Sequence, residues 1–115
     1  MSLIGQFFII SMLVQIAHSI EELTTGFHKK WYLLKMPFWV FLMLEIIFES
    51  FWIIVWLWQD FPYRIHFQAF FLILMFANGV QHVIWAGSIK KYIPGLITAI
   101  VHIILFTIFY FKIVS

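Results

Sequence analysis

The chain has 115 residues, of which 64% are hydrophobic, 22% aromatic and only 10% charged, with a net charge of +2 and no cysteine. A soluble domain of this length has too little interior to hide so much apolar surface, so the composition excludes one. The lack of cysteine excludes disulfides and thiolate metal ligands, and no basic block is long enough to bind nucleic acid.

In chain order, four hydrophobic stretches stand out: Leu3 to Thr25, Met36 to Trp58, Ile65 to Ser88 and Ile93 to Val114. Each is near the ~20 residues that cross a bilayer as a helix. The first begins after Met1-Ser2, without the positive region of a secretory signal, and reads as a retained helix. Gly26-Phe27-His28-Lys29-Lys30 ends it. Asp60-Phe61-Pro62-Tyr63-Arg64 turns the second stretch into the third, and Gly87-Ser88-Ile89-Lys90-Lys91-Tyr92 ends the third. Pro94 suits the first turn of the fourth. The connections are short, so neighbouring helices run antiparallel. The predicted fold is all-α: a single domain, residues 1–115, forming an integral membrane four-helix bundle with up-down topology.

Basic residues orient it. Lys29, Lys30 and Lys35 lie between helices one and two, and Lys90 and Lys91 between three and four, against Arg64 and Lys112 on the other side. The excess of positive charge places both lysine-rich loops in the cytoplasm and both termini on the non-cytoplasmic side. Trp31, Tyr32, Trp85 and Tyr92 mark the inner interface, and Trp56, Trp58, Tyr63 and Tyr110 the outer one. The expected location is a membrane, and the compact chain suggests a prokaryotic cytoplasmic membrane.

Ionisable residues inside such spans are costly and normally face a bundle interior. Glu45 and Glu49 sit mid-span, four residues apart and so on one helix face. His18 with Glu21 and Glu22, and Asn78 with His82, repeat that spacing. At about 1.5 Å per residue, His18, Glu45, Asn78, His82 and His102 all lie roughly 9–15 Å from the cytoplasmic ends of their spans. Glu21 and Glu22 are shallower, at about 5 Å, and Glu49 deeper, at about 20 Å. Facing helices that project carboxylates and histidines inward build metal sites. The expected metal ligands are His18, Glu22, Glu45, His82 and His102, holding one or two divalent ions of Zn, Fe or Mn. Glu21, Glu45 and Glu49 are the candidate catalytic acids and bases. Asn78, Trp39 and Trp52 are candidate lining residues of a binding cavity. The bland alternatives are that Glu21 and Glu22 reach water or pair with Lys29 or Lys30, and that Asn78, Gln15 and Gln81 join helices. His28 and His66 fall in or beside loops.

The segment His18-Ser19-Ile20-Glu21-Glu22 resembles the signature of the family of small membrane proteins named for its His-x-x-Glu-Glu motif. Asn78-Gly79-Val80-Gln81-His82 and Tyr92-Ile93-Pro94-Gly95-Leu96-Ile97-Thr98 also look like that family, and the resemblance covers nearly the whole chain. It implies a multi-helix membrane protein with His18, Glu21 and Glu22 as signature residues, and supplies no substrate. Di-iron bundles use the reverse order, Glu-x-x-His, and zinc proteases use His-Glu-x-x-His, so neither mechanism carries over.

The leading functional expectation is a metal-dependent membrane enzyme acting on a lipid or isoprenoid-like, apolar small molecule. Alternatives are a proton or divalent-cation transporter, a haem protein with His82 and His102 as axial ligands, and a purely structural polar network. Homo-oligomerisation is a further expectation, since four short helices are a small scaffold.

Overall fold

The computed structural model describes residues 2–115. It is all-helical, with α1 Leu3–Thr25, α2 Phe27–Lys30, α3 Phe38–Leu57, α4 Arg64–Ile89 and α5 Leu96–Val114. Four of these helices, all but α2, are long and apolar enough to cross a membrane.

Local chemistry sets the boundaries. The Ser2 side chain accepts a hydrogen bond from the Gly5 amide and caps α1. Gly26, at φ 82°, closes α1 in the left-handed conformation that suits a residue without a Cβ. The chain then makes the one-turn α2, where the sequence predicted only a loop. Pro37 precedes α3 and lacks an amide to leave unpaired. At the far end of α3, the Arg64 guanidinium donates to the carbonyls of Val55 and Trp56, at 2.8 and 2.6 Å. That satisfies orphan C-terminal carbonyls and ties α3 to α4. The fourth span starts later than predicted. Ile93 and Pro94 belong to the turn before α5, and Gly95, at φ 90°, takes the position before the first helical residue.

Contacts give the helix directions. Phe7 of α1 packs against Phe109 of α5, while His18 meets Thr98, so these two run in opposite directions. Phe8 meets Trp52 and Ser19 meets Glu45, so α1 and α3 are also opposed. α4 runs along α1 in the same sense, from the Phe8–Phe71 contact to that of Glu22 with His82. α4 and α5 approach closely at Gly79, where a Cβ would lie 2.7 Å from the Ala99 carbonyl oxygen. Such small-residue crossings let backbones touch and pack well without a hydrophobic driving force. His82 and His102 each follow that crossing by three residues, which brings them toward α1.

One end of the bundle is packed by Phe8, Met12, Trp52, Val55, Phe71 and Met75. The other is closed by Phe27, Phe41, Trp85, Ala86 and Ile93. Between them lies a layer of buried polar side chains: Gln15, His18, Ser19, Glu22, His82 and His102.

Candidate metal centre

Three ligand atoms converge in that layer. Glu22 Oε2 lies 3.0 Å from His82 Nε2 and 3.3 Å from His18 Nε2. One ligand atom from each of these residues lies within 4.8 Å of the other two, and all three side chains are buried. His18 and Glu22 come from successive turns of α1, and His82 from α4.

The protons can be counted. His82 Nδ1 is 2.8 Å from the Asn78 carbonyl oxygen, which only accepts, so Nδ1 carries the proton. His18 Nδ1 is 2.7 Å from Thr98 Oγ1. The Thr98 hydroxyl gives its own proton to Glu21 Oε1 at 2.7 Å, so it accepts from His18 Nδ1–H. In its neutral form each ring therefore turns an unprotonated Nε2 toward Glu22. Asn78 Nδ2 donates to His18 Nε2 at 3.2 Å. Between Glu22 Oε2 and the two imidazoles, lone pairs face lone pairs, and the cluster needs a proton or a cation at its centre.

Glu21 does a different job from Glu22. Its carboxylate accepts from the amides of Ile97 and Thr98, from Thr98 Oγ1 and from the Tyr92 hydroxyl at 2.5 Å. It caps the N-terminus of α5 from another helix, where negative charge is favoured. Burial and the Glu21 carboxylate both push the Tyr92 phenol above its ordinary pKa. Neither Glu21 nor Glu22 pairs with a lysine among the described residues. Lys30 instead donates to the Thr25 carbonyl.

Gly95 forms a wall of the site. A Cβ there would meet His18 Cε1 at 2.8 Å, Glu22 Cγ at 2.9 Å and His82 Nε2 at 3.0 Å. Backbone therefore fits where a side chain would not.

The other expected ligands stand apart from the triad. His102 packs its ring on that of His18, with centroids 5.7 Å apart, and its Nε2–H donates to Gln15 Oε1 at 3.1 Å. Its Nδ1 is buried without a hydrogen-bond partner. Glu45 and Glu49 share Ser19, whose Oγ lies 2.8 Å from Glu45 Oε2 and 3.0 Å from Glu49 Oε1. Ser19 has one hydroxyl proton. Both contacts are hydrogen bonds at once if that proton is shared between the two carboxylates or if one carboxyl is itself protonated and donates.

A cavity of about 310 Å³ opens where α3 stands off from α4. Its walls include Phe27, Trp31, Phe41, Leu44, Phe48 and Leu74, and its polar lining is Gln15, Glu22, Glu45 and Asn78. Trp39 is 74% exposed and does not line it. Trp52 is buried in the aromatic core against Phe8 and Phe71. His66 is exposed, whereas His28 is half-buried, with Nδ1 unpartnered. His18 packs against both His82 and His102, the pair required by a haem alternative.

Sequence reasoning gave no role to Thr98, Ser19 or Gly95. Two weak signals existed: Thr98 precedes His102 by one helical turn, and Ser19 occupies a variable position of the His-x-x-Glu-Glu segment.

No curated protein and no solved structure matches the chain. Residues 9–110 match the family described as "Protein of unknown function with HXXEE motif", so the chain, with His18, Glu21 and Glu22 in that motif, belongs to the HXXEE family.

Proposed function

We propose that this protein is an antiparallel membrane bundle that holds a divalent metal on His18, Glu22 and His82 and uses it on an apolar substrate within the bilayer. The observation that carries this reading is the convergence of two imidazole Nε2 atoms and one carboxylate oxygen in a buried layer. Metal-binding histidines are typically oriented by a hydrogen bond from their second nitrogen, and both rings have one here. Two imidazoles and a carboxylate suit Zn or Fe(II), with coordination positions left for water or substrate.

The outward faces support the bilayer. Leu13, Ile47, Leu57, Ile84, Ile97 and Phe111 are all exposed and apolar. The longest dimension, 38 Å, exceeds the ~30 Å hydrocarbon core. The lysine bias of the loops puts the metal layer in the cytoplasmic half.

A bound metal supplies a Lewis acid or an activated water. The chain's own residues do the rest. Thr98 and the Asn78 carbonyl hold the ligand rings, and Gly95 closes the site with backbone. Glu45 lines the cavity beside Glu22 and is placed to take a proton from a group bound there. The aromatic walls keep water out.

Transport has less support. Phe8, Met12, Trp52, Val55, Phe71 and Met75 form an apolar plug between the polar layer and the opposite end, where a relay would need ionisable steps.

The test is metal analysis by mass spectrometry on protein purified in mild detergent without chelators, beside Glu22→Gln and Glu45→Gln. Stoichiometric metal in the wild type and in Glu45→Gln, lost in Glu22→Gln, is the expected result. Wild-type protein that takes up neither Zn nor Fe(II) on titration would overturn the metal reading and leave a buried proton at the cluster.

A further inference from the structure

The cavity beside Glu45 is apolar along its sides and rich in acceptors at its polar end. Among the described residues, Glu22 Oε1 and Glu45 Oε1 accept no hydrogen bond, since both carboxyls are engaged through Oε2. The two amides that share the lining are already committed. Gln15 accepts from His102 and turns its amide toward the Glu49 carboxylate, and Asn78 donates to His18 and accepts from Gln81. No Lys or Arg lines the cavity. A group that enters must therefore bring its own donor and cannot bring a negative charge. The remaining lining, Phe27, Phe41, Phe48 and Leu74 among it, is apolar but for the Trp31 indole, whose Nε1–H already donates to Gln81 Oε1. At about 310 Å³ the space is at the small end of ligand sites, too small for a two-chain lipid. Leu44, which lines it, is 53% exposed, so the cavity reaches the outer face of α3.

We infer that the cavity takes the head and upper chain of a single-chain amphiphile with a hydrogen-bond-donating head, a long-chain alcohol or amine, and rejects fatty acids and anionic lipids. This names the substrate class for the function proposed above and rests on that reading for the bilayer placement, but the cavity does not need the metal to bind. His82 does not line it. The head would donate to Glu45 Oε1 and come to rest beside Glu22, next to the metal ligands. An amine, if protonated, gains a further attraction to the carboxylates and the ring faces of Phe41 and Phe48.

Trp31 lines the cavity and supplies the readout. Fluorescence quenching by ω-brominated dodecanol, dodecylamine and dodecyl sulfate is measured in phosphatidylcholine nanodiscs, with Trp31→Phe subtracted to isolate this ring. Saturable quenching by the alcohol and the amine, at least about ten-fold tighter than by the sulfate, is the expected result. Leu74→Phe, which narrows the cavity with an apolar group, should abolish saturation while thermal unfolding stays cooperative. Glu45→Gln should bring the amine and the sulfate closer together. Equal affinity for the sulfate, or quenching that never saturates, would overturn the proposal. The His82→Ala variant separates the two readings. Saturable quenching there without bound metal supports the cavity alone, whereas a wild type that binds metal and shows no saturation keeps the metal centre and rejects the amphiphile.

Discussion

The same helices build two unlike regions. Around Phe8, Trp52 and Phe71 the contacts are tilted or edge-to-face ring pairs, with centroids 4.7 to 6.2 Å apart and the Trp52 indole N–H as the polar exception among these three side chains. Around His18, Glu22 and His82 the contacts are polar, each ring is held by a hydrogen bond at Nδ1, and a Cβ on Gly95 would collide with all three side chains. In a bilayer the first region gains only packing, because lipid tails are as apolar as the side chains. In the second an unpaired group is costly, because lipid offers no water to satisfy it. Errors in the aromatic region should therefore cost stability in small, graded amounts, and errors in the polar region should cost function steeply.

Substitutions can break that contrast. The largest effect is expected from Gly95→Ala. The new methyl would lie 2.8 Å from His18 Cε1 and 3.0 Å from His82 Nε2 in a backbone conformation with φ 90°. The left-handed conformation alone costs about 1–2 kcal/mol for a residue with a Cβ. Metal should be lost altogether, as read by mass spectrometry, with a lowered unfolding midpoint. Next is Thr98→Val, which removes the acceptor for His18 Nδ1–H and one donor to Glu21. Metal affinity should fall by about 10–100-fold. Thr98→Ser should restore it, which a purely volumetric role for Thr98 would not allow. Phe71→Ala tests the other region. The cavity left behind should cost about 2 kcal/mol in denaturant unfolding, below the usual 3–5 because the transfer term is absent in lipid. Metal content should be unchanged. If Phe71→Ala lost metal, or Thr98→Val lost stability alone, the division of labour would be wrong.

The smallest effect concerns Tyr92, which lies outside the spans. Its raised pKa means that the folded state prefers the neutral phenol, which donates to Glu21. The contribution is fully present below the unfolded value of about 10 and is lost as the pH rises through the folded one. Tyr92→Phe should flatten that alkaline loss in circular dichroism melts, at a small cost in stability at neutral pH.

Much of this was legible in the chain. Hydropathy marked four spans whose edges lie within about three residues of the helices, because a 20-residue apolar run has few other stable states. Spacing put His18 with Glu22 on one face. Equal depth linked α1 with α4 and α5 and brought His82 and His102 to His18. Depth could not say which groups touch. Glu21 and Glu22 are adjacent and chemically identical, yet the ~100° step between neighbouring helical residues turns one to the end of α5 and the other to the histidines. Trp39 and Trp52 were equivalent in the sequence, and packing exposes one and buries the other. The one-turn α2 lay inside what read as a loop, since four residues carry no periodicity to detect.

The sequence by itself determined the apolar character of the helices, the number of long ones and the inventory of polar groups, since these follow from composition, run length and residue type. Tertiary structure alone decided which nitrogen of each histidine faces Glu22, that Glu22 and not Glu21 meets them, and that Gly95 must lack a side chain. Those choices depend on atoms brought together from positions 18 to 98, and no local pattern records a distance across that separation.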